Sequence, residues 1–153
     1  MKYFTIQWWA GGIENQLPAF NAYDAYVEAV KGRLPIDLRR LLEDVSLHDS
    51  RLRRLTLMPE MKTLSIDLDG FGHDEGHTSY HDLRLQLNYS GVIAIESFAD
   101  PDIGLAGPHG YGDLGYDELE VLESGRFQHR MLFSTGIELS VTFAAFALTC
   151  EKC

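Results

Sequence analysis

The side chains that could do chemistry fall in a few short stretches. The densest is His73-Asp74-Glu75-Gly76-His77-Thr78-Ser79-Tyr80-His81-Asp82, with histidines at 73, 77 and 81. On a helix that spacing stacks three imidazoles on one face. With Asp74 or Asp82 they would make a zinc, nickel or iron site able to activate water. Gly70, Gly72 and Gly76 argue instead for a polar turn ahead of a strand near Tyr80, where ligands converge only if the chain folds around an ion. Asp67, Asp69, Asp74 and Glu75 offer oxygen ligands for calcium, but Phe71 stands where the EF-hand loop needs another acidic or amide side chain. A divalent metal at the histidines is the one cofactor these residue types suggest.

His48-Asp49 offers a second chemistry, because a carboxylate beside an imidazole orients it and favours its action as a general base. Adjacent residues of a strand point to opposite faces, however, and no serine or cysteine nucleophile stands in a recognisable motif. Local turn bonding by Asp49 or Ser50 is the simpler expectation. Gly110-Tyr111-Gly112-Asp113-Leu114-Gly115 spells the dinucleotide-binding pattern, but the run Tyr116 to Glu123 that follows reads as a strand where that motif requires a helix. Cys150 and Cys153 have redox-motif spacing without a helix N-terminus to lower a thiol pKa, so free thiols are expected. No catalytic set emerges.

These residues must be positioned by the elements around them. Asn21 reads as an N-cap for a helix over 22–31, and Pro35 opens a second helix that ends near Asp44. Beyond Leu47 the apolar period becomes 2. Leu55 and Leu57 pair with Leu64, Ile66 and Leu68 as one hairpin, and Leu83, Leu85, Leu87 and Tyr89 lead through Ser90-Gly91 into Ile93 and Ile95 as a second. Three further strands, 116–123, 126–133 and 137–148, are separated by Ser124-Gly125 and Thr135-Gly136. The alternation of Phe4, Ile6 and Trp8 predicts an edge strand at the start, and 99–115 is a long Gly/Pro loop, a length usually reserved for function or mobility. The expectation is a single α+β domain over 1–153, with two N-terminal helices on an antiparallel sheet of six to seven strands.

The 153 residues carry a formal charge of −10, which disfavours nucleic acid and anionic membrane as partners and suits a basic protein. Residues 1–66 are nearly neutral at +1, whereas 67–153 carry −11. A binding surface is therefore expected among Asp67, Asp69, Asp102, Tyr111, Asp113, Glu118 and Glu120. Phe143 to Leu148, the longest apolar tract, is too short to span a membrane, and the first ten residues lack the sustained apolar run of a signal peptide, so a cytoplasmic location is expected. A homodimer with a structural role is a further alternative.

The opening Met1-Lys2-Tyr3-Phe4-Thr5, the helix ending in Leu41-Leu42, and Leu47-His48-Asp49 ahead of an amphipathic hairpin resemble small bacterial proteins of unknown function. The same layout is similar to that of some immunity proteins from bacterial toxin–immunity systems. That resemblance covers about the first 95 residues. It implies a bacterial cytoplasmic protein that neutralises a toxin by binding, with no catalytic residue to carry over.

Overall fold

Among the described residues three α-helices precede eight strands, and two of the helices cover strand edges of the sheet. The computed structural model describes residues 1–11, 16–73, 80–99 and 110–152. Helix α1, Ile6–Ala10, replaces the edge strand expected from the aromatic alternation. Its cause is local: the Thr5 hydroxyl accepts the Trp8 N–H at 3.1 Å and caps the first turn. Helix α2, Gln16–Val30, starts six residues earlier than the periodicity suggested. Pro18 falls in its first turn, where the missing N–H is not needed. A 3-10 turn over Lys31–Arg33 leads to α3, Ile36–Glu43, with Pro35 as its N-cap and Leu38 and Leu41 buried. Burying each of those leucines stabilises the helix on the sheet by about 1.5–3 kcal/mol.

The strands are β1 (Val45–Met58), β2 (Thr63–His73), β3 (Tyr80–Ser90), β4 (Ala94–Phe98), β5 (Asp113–Val121), β6 (Phe127–Phe133), β7 (Glu138–Phe143) and β8 (Ala145–Lys152). They form one antiparallel sheet in the order β4-β7-β6-β5-β1-β2-β3-β8. Their inward positions read apolar at every second residue, as in Leu64, Ile66 and Leu68 or Leu83, Leu85 and Leu87.

Ser90-Gly91 does not turn a hairpin. Strands β3 and β4 lie at opposite places in the sheet order, β3 beside β8 and β4 beside β7. Ser90 pairs with Ala145 and Ala94 with Thr142, and between them the Ala144 N–H donates to Ser90 O at 3.0 Å and the Ile93 N–H to Thr142 O at 2.9 Å. The ladder thus runs round a corner, so that β3–β4 and β7–β8 are two bent strands. At that corner Gly91 has φ +62, and a Cβ on it would lie 2.8 Å from the Ala144 methyl. Bending explains the extra strand: the run expected over 137–148 breaks at Ala144 and continues to Lys152.

Because of the bend the sheet wraps around its own core. Tyr89 of β3 meets Phe143 of β7 with ring centroids 4.9 Å apart, and Phe143 meets Phe127 of β6. The wrap is incomplete between β1 and β5, which pair only at Ser50 with Leu114 and Arg51 with Asp113. Helix α2 covers the open edge of β5: the hydroxyls of Tyr23 and Tyr26 accept the Leu119 and Val121 N–H groups at 2.7 and 2.8 Å. Helix α3 does the same for β8, where Asp37 Oδ2 accepts the Leu148 N–H at 3.2 Å. No helix among the described residues is long and apolar enough to cross a membrane.

Candidate functional site

The seam left between β1 and β5 is a cleft of about 400 Å³. Phe4, Phe20 and Tyr116 supply aromatic wall, and Asp24, Asp117 and His48 supply polar groups. Tyr116 is the hub, with ring centroids of Trp8, Trp9 and His48 at 4.9, 5.2 and 5.2 Å. Trp9 reaches it by lying over Gly115, where a Cβ would come within 2.3 Å of the indole. The last glycine of the Gly-x-Gly-x-x-Gly pattern therefore serves aromatic packing, and the segment leads into β5 as the sequence suggested.

His48 stands on a bulge. Between Ser46 opposite Phe71 and Arg51 opposite Asp69, β1 spends five steps where β2 spends two. Asp49 takes φ +62, a left-handed conformation that a non-glycine residue adopts only under constraint. That turn undoes the strand alternation and brings Asp49 Oδ2 to 3.1 Å from His48 Nδ1. Ser50, fully buried, donates to Ser46 O at 3.4 Å across the base of the bulge. Ser46 and His48 also line a second hollow, of about 440 Å³, with Asp49 and Phe71. The Leu-His-Asp motif is thus a ridge dividing two hollows.

Asp117 joins the cleft to the core. Its Oδ2 lies 2.9 Å from Nε2 of His129, whose Nδ1 is 2.7 Å from the Tyr89 hydroxyl. His129 is fully buried and Tyr89 nearly so. The phenol has no other acceptor among the described residues, so its proton points at Nδ1, and the imidazole carries its own proton on Nε2 toward Asp117. Burial, reinforced by the Asp117 charge, holds the Tyr89 phenol well above its ordinary range, and the same two causes act on Tyr23. Tyr116 is raised by burial and by Asp49. Burial is the larger cause in all three, and the Asp117 and Asp49 charges add to it.

No family model and no curated protein matches this chain.

The acidic residues expected to form a binding surface are divided among several places. Asp67 and Asp69 line a hollow of about 360 Å³ on the outer face of β1–β2–β3, together with Arg53, Arg54 and Arg84. A bulge between Leu52 and Arg54 puts both arginines over these carboxylates: Arg54 Nε donates to Asp67 Oδ2 at 2.7 Å, and Arg53 pairs with Asp69. Glu118 is 1% exposed and internal. Its carboxylate accepts the backbone N–H groups of Lys2, Tyr3 and Phe4, the last at 2.6 Å. Glu120 is paired with Arg130 and Lys2. Burial pushes its carboxyl up, but the two cations outweigh that and hold it below the usual range. Asp113 is exposed, with its N–H bonded to Ser134 Oγ, and Tyr111 packs on Phe133. Asp102 lies outside the described residues, as do His77 and Asp74 of the metal reading. Of that set, His73 ends β2, while His81 and Asp82 pair opposite Gly72 and Phe71 on β3. Among the described residues no three of His, Cys, Asp and Glu come together in a way that could hold a metal ion. Cys150 sits half-buried on β8, its thiol pushed up by burial, and Cys153 is outside the described residues.

Asp117, Asp24 and His129 carry no motif. His129 had one signal, its parity: it shares the inward face of β6 with Phe127, Met131 and Phe133. A histidine there needs polar partners in the core.

Proposed function

We propose that this protein is a non-enzymatic binding module that takes a basic protein surface onto the ridge and cleft at the β1–β5 seam, as an immunity protein takes a cationic toxin. The observation that carries this reading is the contrast in how carboxylates are compensated. On the outer faces Asp67, Asp69 and Glu120 already have arginine partners in the same chain. At the seam Asp24 has no ion pair or hydrogen bond among the described residues, Asp117 offers a free Oδ1, and no lysine or arginine lines the cleft. Asp24 also borders a hollow lined by Lys31 and Arg39 without pairing with either. Carboxylates unpaired with arginine or lysine beside aromatic rings favour a positively charged partner and speed its association. The His129–Tyr89 pair has the geometry of a base and its proton donor, but it is sealed in the core, where no substrate reaches it.

The test is affinity capture with the wild-type chain and with an Asp24→Asn, Asp117→Asn double variant, each at low and high salt. A basic protein retained by the wild type at low salt, released at high salt and lost with the double variant supports the reading. Capture that ignores both salt and the variant, or no salt-sensitive partner at all, overturns it.

A further inference from the structure

We infer that the seam cleft is a receptor for one arginine side chain of the partner. The inference rests on the binding reading above and names the chemistry that its cleft would select. The two acidic groups differ in their freedom. Asp24 lies on the exposed face of α2, whereas Asp117 is fixed, because Oδ2 is held by the imidazole N–H of a fully buried histidine. A carboxylate whose orientation is set from behind presents its remaining oxygen to the cleft without losing side-chain entropy on binding.

The walls add the second criterion. Phe4, Phe20 and Tyr116 line that space as one packed wall, with Phe4 and Phe20 at ring-centroid distances of 5.5 and 6.0 Å from Tyr116. Aromatic faces attract any organic cation, but a planar, weakly hydrated guanidinium stacks on them and meets a carboxylate through several N–H donors at once. An ammonium gives up more hydration in such a place and offers a point charge without a fork. The cleft therefore favours arginine over lysine and rejects a neutral isostere, which would leave the carboxylates uncompensated. The His48–Asp49 ridge beside the cleft gives the flanking residues of the partner a fixed edge to dock against.

The experiment is an amide ¹H–¹⁵N NMR titration of the full chain with N-acetyl-arginine amide, N-acetyl-lysine amide and N-acetyl-citrulline amide. Expected are shifts at Gly115, Tyr116 and Asp117 with arginine, roughly tenfold weaker binding of lysine, and no binding of citrulline. Asp24→Asn should weaken the arginine response about three- to tenfold. It serves as the second variant because Asp117→Asn also unties His129 and can disturb the core. Citrulline binding as well as arginine, shifts confined to the Arg53–Asp69 face, or an unchanged response in Asp24→Asn together with Asp117→Asn would overturn the inference. Arginine bound as expected with no protein partner found keeps the receptor and removes the binding-module reading. A salt-sensitive partner with no arginine response removes the receptor alone.

Discussion

The imidazole of His129 meets the carboxylate of Asp117 at 2.9 Å, diagonally across β5 and β6, in a position where Leu119 is the direct partner of His129. The contact spans the wall between core and seam, so one hydrogen bond joins a group reached by solvent to a group sealed from it. Tyr89→Phe tests the inner half. It strands Nδ1 of His129 as a buried acceptor, which costs about 1–3 kcal/mol. Urea unfolding of wild type and variant measures the loss, and an unchanged midpoint would show that the phenol contributes nothing.

The raised phenols of Tyr23 and Tyr89 fix the behaviour in alkali. A group whose pKa is higher in the folded state stabilises the fold fully below the unfolded value, near 10 for tyrosine, and that contribution is lost as pH rises beyond it. Melting temperature should therefore fall above about pH 10. In a phenolate absorbance titration at least two of the seven tyrosines should stay protonated until the chain unfolds. Reversible ionisation of all seven near pH 10 in the folded protein would contradict the burial of both hydroxyls.

Glu118 gathers three consecutive backbone N–H groups onto one buried carboxylate and so ties residues 2–4 to β5. Replacing it by glutamine puts donors where acceptors are needed, with an expected loss of about 3 kcal/mol. Hydrogen exchange over residues 2–10 should rise in Glu118→Gln, and emission from Trp8 and Trp9 should shift to the red. Unaltered protection there would mean that aromatic packing alone holds the segment.

Asp49 separates strain from stability. At φ +62 a β-branched residue is disfavoured and glycine is not, so Asp49→Val should lose about 1–2 kcal/mol while Asp49→Gly stays close to wild type. Thermal unfolding of the pair decides it. Equal losses would assign the role to the His48 contact and not to the backbone.

Among the described residues strand β4 pairs only with β7 and leaves Phe98 exposed, with Glu96 in its middle. A charge on a short edge opposes strand-to-strand association. Glu96→Val should raise the concentration-dependent mass measured by light scattering above that of the wild type. A mass equal to the wild type at every concentration would show that the edge is guarded by something else.

Most strands were legible because one buried face imposes a period of 2, as in Leu83, Leu85 and Leu87. The turns at Gly125 and Gly136, both at positive φ, matched their signals. Two misreadings share a cause, since a local signal had a long-range meaning. Ser90-Gly91 has hairpin chemistry but serves a corner closed by Ala144, more than fifty residues on. Phe4, Ile6 and Trp8 alternate like a strand, but Phe4 and Trp8 join one packed aromatic cluster with Phe20 and Tyr116 on a turn that Thr5 caps. At the site His48-Asp49 was visible as a pair. Its meaning was not, because the bulge that joins the two side chains depends on the register with β2. Asp117, His129 and Tyr89 come from three strands and meet only once those strands pair.

The bent strand of residues 138–152 is also the last in sequence to find its place. It supplies the partner of β4, one neighbour of β6 and one neighbour of β3. Until it arrives, three strand edges stand open and the ring of the core has no closing wall. Assembly must therefore wait for the most distant contacts in the chain, which marks a slow folder whose incomplete forms are sticky.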